Sequence, residues 1–248
     1  MKTLQPSPRL PEPESTRLRT ALLFCIGFLA APVVLAESGE ELFTTLETRL
    51  QEAANVTIGA VITASGAVEA RVAGETQLVA GKQLRFGFRG SFMGEQWTAE
   101  LFSNKTDTRW RTENDFFSVE RGPELEQSIL LGFTRMGLLH NVMTIGSGKA
   151  PEHADGGVAE WVKAVNFTEV VDEDLKGRAT RRFEFEILVD GQDSGAVTLW
   201  LDAETGMPAR REQVVQFPDG EMKVVEIYRG IVLNAKIITE SEAFRTEY

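Results

Sequence analysis

Between Glu41 and Ala54 the apolar positions Leu42, Leu46, Leu50 and Ala53 recur at spacings of three and four, with Phe43 alongside. Glu41, Glu47, Arg49 and Glu52 fill the other positions. That period lines one face of a helix, and Asn55 supplies a stop. Beyond it the period falls to two. Leu84, Phe86 and Phe88 alternate with Arg85, Gly87 and Arg89, and Trp97, Ala99 and Leu101 alternate with Thr98, Glu100 and Phe102. Shorter runs at Val56–Thr63, Val68–Val72, Thr108–Thr112 and Phe116–Glu120 are separated by Gly, Asn or Asp. Alternation punctuated by turn residues predicts an antiparallel meander.

After Pro123 the helical spacing returns. Leu125, Ile129, Leu130, Phe133 and Met136 predict a helix over Glu124–Asn141, weakened at Gly132 and Gly137. Thr144–Val158 is glycine-rich and reads as an irregular loop, with a short helix near Val158–Val165. Strand patterns then close the chain at Phe167–Val171, Arg182–Asp190, Gly195–Asp202, Ala209–Phe217 and Glu221–Asn234. Pro218-Asp219-Gly220 between two alternating runs is the clearest hairpin signal. No internal repeat and no linker-like stretch breaks residues 37–248, so one domain is expected there.

The first 36 residues follow another rule. Lys2, Arg9, Arg17 and Arg19 precede an uncharged run of 17 residues, Thr20 to Ala36, which is interrupted by Pro32 and followed at once by Glu37. A basic flank, a short apolar stretch and small residues at its end make a secretory signal peptide, cut between Ala36 and Glu37. A retained membrane anchor is the alternative, at the lower limit of the spanning length. Cleavage removes four basic and two acidic residues, taking the net charge from −11 to −13. It also removes Cys25, the only cysteine, so thiol catalysis and thiolate metal sites are excluded from the mature chain. An exported, soluble, periplasmic protein is expected. Its acidic balance argues against a nucleic-acid partner and against adsorption to an anionic bilayer.

Catalytic patterns are sparse. Gly146-Ser147-Gly148-Lys149 lacks the glycine and the Ser or Thr that a phosphate loop needs, with Met143 and Ala150 in those places. His140 and His153 are the only histidines. His140 reads as a helix-end residue, and His153, near Asp155, as part of a loop. Asp172-Glu173-Asp174 lacks the alternation of a calcium loop and reads as a solvated turn. Asp190-Gly191-Gln192-Asp193 reads as a turn between strands. No enzyme, metal site or cofactor is expected.

What the pattern does supply is apolar surface. Phe86, Phe88, Trp97, Trp110, Phe117, Phe183 and Phe185 crowd one face of the strands, and two helices offer apolar stripes to cover them. A strongly curved sheet leaves space between itself and its helices that side chains do not fill, and that space is an apolar cavity. Phe86, Phe88, Trp97, Trp110, Phe133 and Met136 are the expected lining, with the helix Glu124–Asn141 as the lid.

From Leu199 to Glu212 the chain reads Leu-Trp-Leu-Asp-Ala-Glu-Thr-Gly-Met-Pro-Ala-Arg-Arg-Glu. A strand ending in Trp-x-Asp, a Thr-Gly-x-Pro turn and a basic outgoing strand resemble the lipoprotein-carrier (LolA/LolB-like) superfamily of exported bacterial proteins. Asp202 accepts backbone hydrogen bonds in such a turn, Gly206 permits positive φ and Pro208 limits the exit. The resemblance implies an α+β fold, a strongly curved antiparallel half-barrel of about eleven strands with helices on its concave face. It also implies a non-enzymatic carrier or binder of a hydrophobic ligand, a lipid or the acyl chain of a lipoprotein, expected to be monomeric. A protein-interaction or envelope-stress sensor module, with the same fold and a packed interior, is the rival expectation.

Overall fold

Ser38 opens the first helix. Its hydroxyl accepts from the Glu41 amide (3.1 Å), and the Glu41 carboxylate accepts from the Ser38 amide (2.8 Å), a reciprocal cap that satisfies two otherwise unpaired donors. The helix, α1 (Gly39–Glu52), buries Leu42, Phe43, Leu46 and Leu50. Each such side chain contributes about 1.5–3 kcal/mol on leaving water. The structure is a computed structural model that describes residues 37–112, 116–146, 157–217 and 220–235. The segment expected to be a signal peptide, His153 and Asp155, the Gly146–Lys149 pattern beyond Gly146, and Pro218-Asp219 lie outside those residues.

Six strands follow: β1 (Asn55–Gly66), β2 (Ala70–Val79), β3 (Gln83–Phe92), β4 (Glu95–Ser103), β5 (Asp107–Thr112) and β6 (Phe116–Glu120). Each pairs antiparallel with the next. Helix α2 (Leu125–Leu131) runs into a π-helical segment, Gly132–Met136, and then breaks at Gly137 before α3 (Leu138–Gly146). One turn of helix, α4 (Val158–Trp161), leads into β7 (Val162–Val165) and β8 (Val171–Asp174). The chain closes through β9 (Ala179–Val189), β10 (Gln192–Asp202), β11 (Pro208–Phe217) and β12 (Gly220–Leu233).

The order across the sheet is β6-β5-β4-β3-β2-β1-β12-β11-β10-β9-β7, with β8 beside β9. All pairings are antiparallel. Among the described residues the sheet is therefore twelve-stranded and open, close to the eleven strands expected. Bulges at Gly59/Ala60, Trp200/Leu201 and Asp193/Gly195 bend it. One face carries alternate core residues, such as Val56, Ile58, Ala60 and Ile62 on β1. Phe43 packs between Phe167 and Phe185, with ring centroids 5.2 and 4.9 Å away, which fixes α1 against β9.

Four segments depart from the sequence reading. The strand expected over Phe167–Val171 is irregular as far as Val170, where Phe167 turns in against Phe43 and Phe185, and a strand starts only at Val171. The helix expected over Glu124–Asn141 is two helices joined through the π segment, and the second continues to Gly146, into what reads as loop. The helix near Val158–Val165 stops at Trp161, where a strand takes over. Asp172-Glu173-Asp174 is exposed edge strand rather than turn, because Val171–Asp174 pairs with Ala179–Arg182 of β9. The turn at Asp190-Gly191 forms as expected, with both residues at positive φ (50° and 73°) between β9 and β10, the backbone that a tight hairpin demands.

Candidate functional site

The break between α2 and α3 is held from the sheet by two charged side chains on neighbouring strands. Arg211 of β11 and Glu226 of β12 are register partners, each 1 % exposed. Arg211 donates to the carbonyls of Thr134 (2.7 Å) and Arg135 (2.6 Å), at the C-terminal end of the π segment. Glu226 accepts from the Leu139 amide (2.9 Å) at the start of α3, and from the Tyr228 hydroxyl. A cation thus meets the carbonyl end of one helix and an anion the amide end of the next, each opposing the partial charge there. Burial lowers the Arg211 pKa, against the opposing effect of Tyr228 and Glu226. Burial, with Glu226 beside it, pushes the Tyr228 hydroxyl well above its ordinary value. Gly137, at φ 88°, leaves room for both charges: a Cβ there would lie 2.8 Å from Glu226 Oε1 and 3.1 Å from Arg211 Nε.

Two further side chains tie the helices together. Arg135 pairs with Glu47 of α1 through Nε and Nη2, both 2.9 Å, and donates from Nη1 to the carbonyls of Ala159 (3.0 Å) and Val162 (2.6 Å). The Thr134 hydroxyl donates to Glu47 at 2.7 Å. Asn141 of α3 is buried and donates to the Ile129 carbonyl (3.0 Å), with its amide lying against Gly132, where a Cβ would be 2.2 Å from Oδ1. The two glycines that weaken the helix in the sequence are therefore contact points in the structure.

Beneath these helices lies a cavity of about 420 Å³, inside the range of small-molecule sites. Leu101, Trp110 and Val119 form its sheet wall; Leu125, Ile129, Leu131 and Met136 its helix wall; Val158, Trp161 and Val162 its far side. Thr108, Ser128, His140, Asn141 and Thr144 contribute polar groups, and Glu120 and Glu124 are the charged members. Burial lowers the His140 pKa, so the ring is neutral at pH 7. Val119 sits on the edge strand β6 and Val162 on the strand at the opposite end of the sheet order. Ten flat strand spacings would separate those edges by roughly 48 Å. One cavity touches both, so the sheet curls around its helices.

Of the residues expected to line a cavity, Trp110 and Met136 are on its wall. Trp110 stacks on Phe117 with centroids 5.2 Å apart. Phe86, Phe88 and Phe133 sit apart from it in the packed core, 2 %, 1 % and 1 % exposed. Phe86 and Phe88 pack on each other (4.7 Å), and Phe133 meets Tyr228 edge-on (5.4 Å). Trp97 packs half-buried against the core opposite Gly90 and is not on the cavity wall. The reading by aromatic bulk passed over Leu101, Ile129 and Trp161. Leu101 carries a usable signal, since it lies between Phe86 and Trp110 in one cross-strand row. His140, read as a helix-end residue, is within α3 on the cavity wall.

The turn after β10 has the geometry that its sequence implies. Asp202 Oδ1 accepts from the Thr205 amide (2.6 Å) and hydroxyl (2.7 Å), and Gly206 has φ 68°. Arg49 of α1 donates to the Thr205 carbonyl (2.7 Å), so the turn also anchors a helix. Among the described residues, no group of His, Cys, Asp and Glu could hold a metal, and no helix is long and apolar enough to cross a membrane.

No model of a known protein family and no curated protein matches the sequence. Solved structures do. The chain is similar to a DUF1329 family protein from Desulfovibrio piger, at 8% identity over 82% of this chain and 95% of that one, with a TM-score of 0.34. It is similar to a LolA superfamily protein from Nitrosomonas europaea, at 8% identity over 82% of this chain and 96% of that one, TM-score 0.30. A third is the complex of MucA and MucB from Pseudomonas aeruginosa, at 13% identity over 80% of this chain and 58% of that one, TM-score 0.30. By strand order, curvature and the placement of helices on one face, the described residues form an open, curved antiparallel half-barrel.

Proposed function

We propose that this protein is an exported, non-enzymatic carrier or binder of a hydrophobic ligand, a lipid or an acyl chain held between the curled sheet and α2–α4. The observation that carries the reading is the cavity itself: about 420 Å³, with a mostly apolar wall surface supplied by Leu, Ile, Val, Met and Trp. Moving an acyl chain from water into such a space contributes about 0.8 kcal/mol per CH₂. Ten methylenes give roughly 8 kcal/mol before the cost of ordering the chain. In this reading the signal sequence is cut at Ala36/Glu37, residues 37–248 form one domain and the product works as a monomer in the periplasm. The cap on α1 begins at Ser38, directly after that cut.

A second reading has an observation of its own. β6 is an edge strand in the sheet order, and Phe116 (67 %) and Val119 (49 %) are exposed on it. An unpaired apolar edge accepts an added strand, as an interaction module would require.

Uptake of the uncharged dye Nile red separates the two. Ile129→Trp and Ser128→Trp fill the cavity from its helix wall, while Val232→Ala alters an exposed position away from it. Uptake is expected to fall roughly tenfold or more in both tryptophan variants and to stay unchanged in Val232→Ala. Overpacking costs about 1–3 kcal/mol, so thermal melting checks that each variant is folded. Native-like uptake by a folded tryptophan variant would count against the cavity.

A further inference from the structure

The outer, convex face of the sheet has a charge of its own. Outward positions on β2 to β5 hold Arg71, Arg85, Arg89, Arg109 and Arg111 against Glu75, Glu100 and Asp107, and β12 adds Arg229. No lysine occupies β2 to β5. Arg111 is paired with Glu100, and Arg85 lies over the Phe102 ring, 5.8 Å from its centroid. Arg71, Arg89 and Arg229 have neither an ion pair nor a hydrogen-bond partner among the described residues. These three converge on one hollow of about 370 Å³, joined by the hydroxyl of Ser91 and the amide of Gln96, with no carboxylate in its lining among the described residues.

The backbone brings them together. Arg71 is opposite Ser91 and Arg89 opposite Ala73, which makes the two arginines diagonal neighbours on adjacent strands, about 7–8 Å apart at their bases. Arg229 is the extra residue of the β1–β12 bulge: Gly59 pairs with Gly230 and Ala60 with Tyr228, leaving Arg229 with no partner on β1. Bulges re-aim the side chain they release. Between the arginines stand Val61, Ala73 and Gly90, so no long side chain fills the space. Three unpaired guanidiniums sharing a hollow repel one another, and an anion between them reverses the sign of that interaction. Guanidinium forks match the paired oxygens of a phosphate better than ammonium groups do.

We propose that this hollow is an anion site for a phosphate group, separate from the apolar cavity and independent of what the cavity holds. The net charge of −11 argues against general adsorption to anionic surfaces, but charges are screened beyond about 8 Å in physiological salt. The charged groups of the hollow's lining are the three arginines, with Glu75, the other diagonal neighbour of Arg89, outside it. Two sources present the chemistry: a soluble phosphate ester, or the headgroup of an anionic lipid.

The test uses the protein as its own cell processes it, the variant R71Q/R89Q/R229Q, and R109Q as a control on the same face outside the hollow. Calorimetric titration with inorganic phosphate is run beside co-sedimentation with vesicles of phosphatidylglycerol or phosphatidylcholine. The native protein and R109Q are expected to bind phosphate, and the triple variant to bind it roughly tenfold or more weakly. Phosphatidylglycerol binding that free phosphate competes away assigns the site to a headgroup; phosphate binding without vesicle binding assigns it to a solute. No phosphate binding by the native protein overturns the proposal. So does a triple variant that binds as well as the native protein, or a loss in R109Q as large as in the triple variant.

Discussion

Asp202 shows how one carboxylate fixes a turn. Burial alone would raise its pKa, but the Arg178 guanidinium (2.6 Å) and the amide and hydroxyl of Thr205 outweigh that and hold it at about 2. Because the folded value lies below the ordinary 3.8, the group's contribution to stability is complete above about pH 4 and is lost as pH falls toward 2. Asp202→Asn should therefore flatten the acid limb of a thermal-stability profile between pH 4 and 2. At neutral pH it should cost about 1–3 kcal/mol, toward the lower end because Arg178 is half exposed. An acid limb as steep as that of the native protein would contradict this account. The turn was legible in the sequence because Asp202, Thr205, Gly206 and Pro208 act locally. Arg211, in the same stretch, was not. Its partners are carbonyls about 76 residues away in sequence, and nothing in the spacing of a strand announces a buried guanidinium.

Among the elements, the segment from Leu125 to Gly146 decides how the cavity is roofed. Sequence periodicity finds its apolar residues and its two weak points, yet it does not show that the helix divides. The division is tertiary in origin: Arg211 and Glu226 supply the charges that two facing helix ends require, and Gly137 supplies the positive φ between them. Arg211→Met should cost about 3–5 kcal/mol, since it leaves Glu226 buried without its opposite charge. R211M/E226M should lose clearly less than the sum of the two single changes, as chemical denaturation can measure. Additive losses would mean that the two groups act separately. The strands were more legible than the helices because alternation is set by one face at a time. The Asp172-Glu173-Asp174 strand was one exception, since an exposed edge carries no buried residue to mark it, and the four-residue strand Val162–Val165, read as helix, was another.

For the whole molecule, the sheet's curl brings residues from both of its edges to one apolar space. Sequence alone placed aromatics on a common face, but their size did not say which would be consumed by packing. Phe86, Phe88 and Phe133 fill the core, while Leu101, Ile129 and Trp161 stand with Trp110 and Met136 at the space that remains. The central claim is that this space holds a ligand. Native mass spectrometry of the protein purified from its own cell envelope, followed by organic extraction, tests that claim most directly. The account predicts a stoichiometric adduct that is released into the organic phase as a lipid or acyl compound. A clean apo mass, together with no uptake of a hydrophobic dye, would contradict it and favour the interaction module built on the β6 edge.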